Sequence, residues 1–271
     1  MRRQLTALGK RWIVARAVRP TPRELAASAL VFAPHPDDET LGCGGTMIRK
    51  QQAGATVGVA FMTDGERSHP GPPFSASSLG ALRRREAIAA TGELGVSPAH
   101  LHFFGYRDGA LAEERAHATE SVAELVARLR PEEVYVPHSL DGPADHAATT
   151  AIVLAALQRA RLRVSLYEYP VWLWCGYPWV GLGSAGERRR RLGHGWRARR
   201  AFLRDLRCAV PVGDVLPRKL RALAHYRTQT ARPFGRPDWR TLRDVARGEW
   251  LAHLLGNDEL FFRRDHDARE G

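Results

Sequence analysis

From residue 29 onward the chain alternates short apolar runs with longer stretches of helical periodicity, and this alternation constrains the fold more than any other feature. "ALVFAP", "TVGVAFMTDG", "HLHFFGY", "EEVYVPH" and "RVSLYEYPVW" read as strands. Between them, "ETLGCGGTMIRKQQAG", "LRRREAIAATGELGV", "TESVAELVARLR" and "DHAATTAIVLAALQRAR" read as helices, the second ending near Gly95. Strands that are apolar at nearly every position must be buried on both faces, as in a parallel sheet covered by helices. Crossovers of this kind are right-handed, so the expected fold class is α/β: a Rossmann-like open, mostly parallel sheet with helices on both faces. A chain of 271 residues is long enough for one large core. The reading is a single domain over 29–271, with a less regular part from about 172 to 271, preceded by a basic N-terminal extension, 1–28.

In open α/β sheets the working site lies outside the carboxyl ends of the strands. The predicted exits read "PHPDDE", "TDGERSH", "GYRDG" and "PHSLDGPADH". All four carry acids and three carry histidine, which structural loops do not need. A dinucleotide site is excluded: the glycines of "LGCGGT" lack the GxGxxG spacing, and the carboxylates before them would repel a pyrophosphate.

His35 and Asp38 offer an imidazole and a carboxylate three residues apart, and His146 adds a second imidazole at a later strand exit. Two histidines and one carboxylate form a set that zinc accepts at catalytic sites, with a position left for water. Pro36 stiffens the loop that carries the first pair. Asp37, between the proposed ligands, is placed to act as general base toward water. Taken singly, each of these residues also suits a capped turn before a helix; it is the His146 loop that favours a metal site.

The order "PHPDDE", "LGCGGT", "TDGE", "GYRDG" and a helix-opening "DH" resembles the PIG-L or LmbE-like zinc deacetylases over roughly residues 29–171. The C-terminal "LRALAHYRTQ" is similar to a late helix of that family. The resemblance implies removal of an acetyl group from an N-acetylglucosaminyl conjugate or a related N-acylated amino sugar. Residue by residue it implies His35, Asp38 and His146 as ligands of Zn2+ or another divalent metal, with Asp37 as general base. It further implies that Arg83 of "RRRE" contacts substrate and that Asp108 bonds sugar hydroxyls. Read without the resemblance, Arg83 would pair within its own helix and Asp108 would be a turn aspartate.

One departure stands out. The family shows His-Pro-Asp-His at the second metal motif, whereas here Pro143 occupies the place of the first histidine, which helps hold the oxyanion and protonate the departing amine. Three accounts are open: Asp37 returns its proton to the amine; His138 of "VPHSLDG" takes the role; or the protein is a metal-retaining carbohydrate- or membrane-associated binding protein with weak or altered chemistry. A hydrolase acting on a different N-acyl chain is a further reading. Asp145 is expected to orient His146 or to cap the following helix.

A net charge of +12, from 41 Lys+Arg against 29 Asp+Glu, points to anionic partners. Much of it lies in the first 24 residues and in the arginine run 188–207. Neither run carries regularly spaced aromatics, so no specific nucleic-acid binding is expected. The expected partner is an N-acetylated glycan or glycoconjugate. Leu5, Leu8, Trp12, Ile13 and Val14, interleaved with basic residues, suggest a helix lying on an anionic membrane. Three scattered cysteines make no disulfide framework. With no apolar run long enough to span a bilayer and no secretory signal, the expected location is cytoplasmic, with peripheral contact at the inner face of the membrane.

Overall fold

The computed structural model describes residues 2–69, 71–176, 178–181, 183–184, 202, 204–232 and 236–266. The arginine run 188–207 therefore falls largely outside the described residues.

The expected strands form β1 (Ala29–Ala33), β2 (Val57–Thr63), β3 (Leu101–Tyr106), β4 (Glu133–Pro137) and β5 (Val164–Tyr169). Their neighbours pair in parallel throughout. The C-terminal part, read as irregular, contributes two more strands, β6 (Leu206–Pro211) and β7 (Asp258–His266), giving the order β3-β2-β1-β4-β5-β7-β6. β7 is antiparallel to both β5 and β6. Charged residues dilute the apolar pattern of β7, and β6 is a short run broken by Arg207, so neither announces itself in sequence.

Strand residues divide by parity between the two faces. Ala29, Val31 and Ala33 of β1 join one core with Val59, Phe61 and Tyr135, whereas Leu30 and Phe32 join the other with Ala60, Met62, Val134 and Val136. The first core is covered by α3 (Asp38–Gln52), α4 (Ala76–Leu94) and α7 (Leu216–His225), the second by α5 (Arg115–Leu129) and α6 (Ala144–Arg159). Helices thus lie on both faces, as the pattern requires. α4 ends at Gly95, whose φ of 95° suits glycine at the left-handed cap.

The glycines of "LGCGGT" serve close packing. A Cβ at Gly42 would lie 2.3 Å from the Tyr169 ring, and one at Gly45 would lie 2.5 Å from Val212. Beside them Lys219 of α7 is fully buried, donating to the Leu41 and Leu254 carbonyls and to Glu259 at 2.7 Å. Glu259 in turn accepts from the amides of Gly45 and Thr46, both at 2.7 Å. Helix α3 is thereby pulled onto the sheet, which fixes where its N-terminus meets the β1 exit.

At the N-terminus, α1 (Arg2–Arg16) packs on β6 through buried Ile13, and Val18 extends that edge by bonding to Arg207 and Ala209. Helix α2 (Pro22–Ala26) follows.

Candidate active site and metal centre

The chain runs outward from β1 to β2 and β3 and then returns to place β4 on the other side of β1. A crevice forms where the order reverses, flanked by the loops leaving β1 and β4. His35 and Asp38 come from the first loop and the N-terminus of α3. His146 comes from the first turn of α6, after β4.

These three meet. His35 Nδ1 and His146 Nε2 each lie 3.2 Å from Asp38 Oδ2, and the three donor atoms are within 4.8 Å of one another. Both imidazoles have a carboxylate on their far nitrogen. His146 Nδ1 lies 2.8 Å from Asp141, while His35 Nε2 lies 3.3 Å from Asp108 and 3.4 Å from Asp145. Carboxylates at that position fix tautomer and ring orientation at metal sites.

The residues present fit a divalent ion. His146 Nε2 is buried and has no hydrogen-bond partner, a costly state for a polar atom, and it faces the one oxygen that His35 also faces. Asp37, Asp38, Asp108, Asp141 and Asp145 all lie within this small buried region, against the single buried guanidinium of Arg83. A cation at the junction answers both the orphaned nitrogen and the excess of negative charge.

Asp37 has φ 123° and ψ −28°, a conformation that costs a non-glycine residue roughly 1–3 kcal/mol. Its surroundings hold it there. The Glu39 carboxylate accepts from the Asp37 amide at 3.1 Å, and Arg83 Nη2 lies 3.4 Å from Asp37 Oδ2. Glu39 is itself fixed by Tyr226 and Thr40. Burial pushes the Asp37 carboxyl well above its ordinary value, with the Arg83 guanidinium opposing.

The other candidate residues are placed as follows. Arg83 is buried at 2% exposure, donating from Nη1 to the Gly65 carbonyl at 2.9 Å and from Nη2 to that of Pro36. Its Nε has no partner. Asp108 lines the same cavity and accepts from the Arg67 amide at 2.9 Å. His138 is not brought to the cluster: its ring lies against Phe262 at 4.2 Å and 3.7 Å from Glu168, and it is not among the residues lining the cavity.

Asp145, expected to orient His146 or cap α6, does neither. It accepts from the amides of Gly109 and Leu111 and lies against His35 instead. Asp141 is the partner of His146, and its other oxygen accepts from the amides of Val171 and Leu173. It was visible as an acid in the β4 exit, but nothing in the order of residues says that a carboxylate five positions before His146 turns back onto it. Glu86, spaced three from Arg83, accepts from the amide and hydroxyl of Thr228 and so docks α8 (Arg227–Thr230) at the cavity.

The cavity holds about 590 Å³. Besides the acidic residues, its lining includes apolar Leu41, Trp172, Leu242 and Val245 and polar Arg67, His69 and Gln229. Trp172 stacks on Trp250, whereas Trp174 and Trp179 are core residues, so among the described residues the aromatic run "WLWCGYPW" gives one ring to the cavity and two to the interior. The segment after "RPFGRPDW" forms part of the rim. Trp239 stacks on His69 with centroids 4.1 Å apart, and His69 Nε2 lies 2.7 Å from the Arg240 carbonyl.

Comparison with known proteins bears on this site. The family model described as PIG-L, GlcNAc-PI de-N-acetylase, matches residues 30–157. A 1D-myo-inositol 2-acetamido-2-deoxy-alpha-D-glucopyranoside deacetylase from Mycobacterium sp. (strain KMS) is 30% identical over 202 residues, covering 65% of this chain and 63% of that protein. The chain thus spans less than two thirds of that relative's length. Among solved structures, N,N'-diacetylchitobiose deacetylase from Pyrococcus horikoshii aligns with a TM-score of 0.62 at 19% identity, covering 90% of this chain and 85% of that one. GalB, a 4-carboxy-2-hydroxymuconate hydratase from Pseudomonas putida KT2440, aligns with a TM-score of 0.57 at 17% identity over 88% and 95%. Likeness at those identities is one of fold, and a hydratase beside a deacetylase shows that the fold does not choose the reaction. The matched segment, just under half of the chain, contains His35, Asp37, Asp38, Arg83, Asp108, Asp141 and His146, and over it the chain is similar to the PIG-L family.

Proposed function

We propose that this chain is a metal-dependent hydrolase that removes an acetyl group from an N-acetylated amino-sugar conjugate. The observation that carries the reading is the convergence of His35, Asp38 and His146, with strained, buried Asp37 beside them and His35, Asp37 and Asp38 lining one cavity. The similarity to a 2-acetamido-2-deoxy-glucopyranoside deacetylase supports the substrate class.

A divalent ion held by His35, Asp38 and His146, zinc by the chemistry of that donor set, would polarise the acyl carbonyl and lower the pKa of water there. The chain's own groups do the rest. Asp37 accepts the proton of the attacking water and returns it to the amine nitrogen as the C–N bond breaks, giving acetate and a free amine. Held in place by the Glu39 carboxylate and Arg83, the Asp37 carboxylate is positioned to carry a proton between those two steps. Since His138 faces Phe262 and Glu168, the geometry favours Asp37 for both transfers and gives no support to a histidine in place of the residue missing at Pro143. Asp108 has lone pairs left for a sugar hydroxyl, and Arg83 Nε is a donor without a partner. Leu41, Trp172 and Leu242 add apolar surface to the cavity lining for the carbon face of a sugar or an acyl methyl to pack on.

Acetate release from a panel of N-acetylglucosaminyl conjugates tests the reading. The zinc-loaded protein is expected to turn over at least one of them, chelation to abolish it, and Asp37→Asn to lower kcat by about 10²–10⁴-fold while metal content stays unchanged. Binding of the same conjugates with no acetate released would make the protein a sugar-binding one.

A further inference from the structure

The exposed face of α1 carries a feature that the hydrolytic site does not use. Leu5, Leu8 and Trp12 are 60%, 59% and 45% exposed. At about 100° per residue, positions 5, 8 and 12 fall within about 60° of one another, so the three form one stripe along the helix. The opposite face is the one that docks: Thr6 and Ile13 are buried, Arg2 and Arg3 pair with Glu249, and Lys10 donates to the His253 carbonyl at 2.8 Å. The helix is thus held to the body in one orientation, with its apolar stripe turned outward.

Charge around the stripe says what covers it. No Asp or Glu precedes Glu24 in the sequence. Arg11, Arg16, Arg19 and Arg23 are exposed, and the Arg16 guanidinium lies 4.2 Å from the Trp12 ring centroid. Val18, 63% exposed, continues the apolar surface where its amide bonds to the carbonyl of Arg207 on β6, another exposed arginine. A protein partner suited to this face would need carboxylates spread around an apolar groove, whereas anionic lipid offers both parts at once: acyl chains for Leu5, Leu8 and Trp12, and headgroups for the arginines.

We infer that α1 is a fixed docking element that seats the protein on an anionic membrane surface through Leu5, Leu8 and Trp12, with Arg11, Arg16 and Arg19 meeting the headgroups. The helix lies in the interface plane and does not span the bilayer; among the described residues no helix is long and apolar enough to do so. Because Leu5, Leu8 and Trp12 lie outside both hydrophobic cores, replacing them is expected to leave the fold intact.

Co-sedimentation of the full chain with phosphatidylglycerol/phosphatidylcholine vesicles, set against pure phosphatidylcholine, tests this. Wild type is expected to pellet with the anionic vesicles and not with the neutral ones, and binding should fall at least tenfold in Leu5→Gln/Leu8→Gln/Trp12→Gln and weaken with salt. An Arg11→Glu/Arg16→Glu variant is expected to lose binding with unchanged thermal stability. Failure of wild type to pellet, or equal pelleting of the triple variant, overturns the proposal. So does a wild-type dimer in solution that the triple variant abolishes, since the stripe would then be covered by a second copy. None of these results depends on turnover, so the hydrolase reading stands or falls separately.

Discussion

His146 Nδ1 lies 2.8 Å from Asp141 Oδ2, and both side chains are fully buried. Because Asp141 also accepts from the amides of Val171 and Leu173 through Oδ1, it ties the β4 exit loop to the chain leaving β5 while it sets the direction in which His146 Nε2 points. Asp141→Asn keeps an acceptor for those amides but turns an NH2 group toward the histidine, forcing the wrong tautomer or a rotated ring. Zinc affinity, measured by chelator competition, is expected to fall about 10–100-fold. Asp145→Asn, which does not touch His146, is expected to leave the His146 side of the site in place and to act through His35.

The two roles considered for Arg83 give different kinetics. If its chief task is to hold the Pro36 and Gly65 carbonyls and Asp37, Arg83→Lys, which cannot reach all three at once, lowers kcat by at least tenfold with KM nearly unchanged. If the unpartnered Nε is the substrate donor, KM rises instead. The burial of the residue and its bonds to the loop that carries Asp37 favour the first outcome.

What could be read from the chain alone follows from how local each signal is. Five buried strands and the helices between them are written as continuous apolar runs and 3.6-residue periods, so the parallel sheet was legible. So was the place of His35, Asp38 and His146, because strand exits in such a sheet share one edge. By contrast, β7 has six polar or charged residues in nine, and β6 is a six-residue run interrupted by Arg207 and ended by Pro211, so neither was legible. The partners Asp141, Glu39 and Glu259 depend on side chains from distant segments turning toward each other: Glu259, for instance, meets Gly45 across more than two hundred residues of chain. His138 was assigned by its nearness in sequence to the metal loop, yet the alternation along β4 and its exit sends the ring toward Phe262.

Gly42 tests the close packing of α3. The Tyr169 ring that a Cβ would strike is itself anchored, its hydroxyl donating to the Phe32 carbonyl at 2.7 Å, so it cannot swing aside without leaving a buried acceptor unmade. Gly42→Ala is expected to destabilise the fold by about 1–3 kcal/mol, although alanine is the better helix former. Thermal melts of this variant beside Gly54→Ala, where the glycine has a φ of 82° and no atom near the added Cβ, separate packing from backbone strain.

His138 yields a prediction in pH. Burial first, and then the Arg264 guanidinium, lower its pKa from 6.5 to about 4, so the folded protein keeps the ring neutral over a range in which the unfolded chain would protonate it. Its contribution is therefore present above pH 6.5 and is lost as pH falls toward 4. At pH 5.5 the loss amounts to about 1 kcal/mol. His138→Gln, which stays neutral and keeps an acceptor for the Leu140 amide, removes this term. The drop in melting temperature between pH 7 and pH 5.5 is expected to be a few degrees smaller in the variant, and contributions common to both proteins cancel in the difference. Zinc-loaded turnover at pH 7 is expected to change by less than about threefold. A hundredfold loss of kcat, with an unaltered pH dependence of stability, would instead return His138 to the reaction as the proton donor.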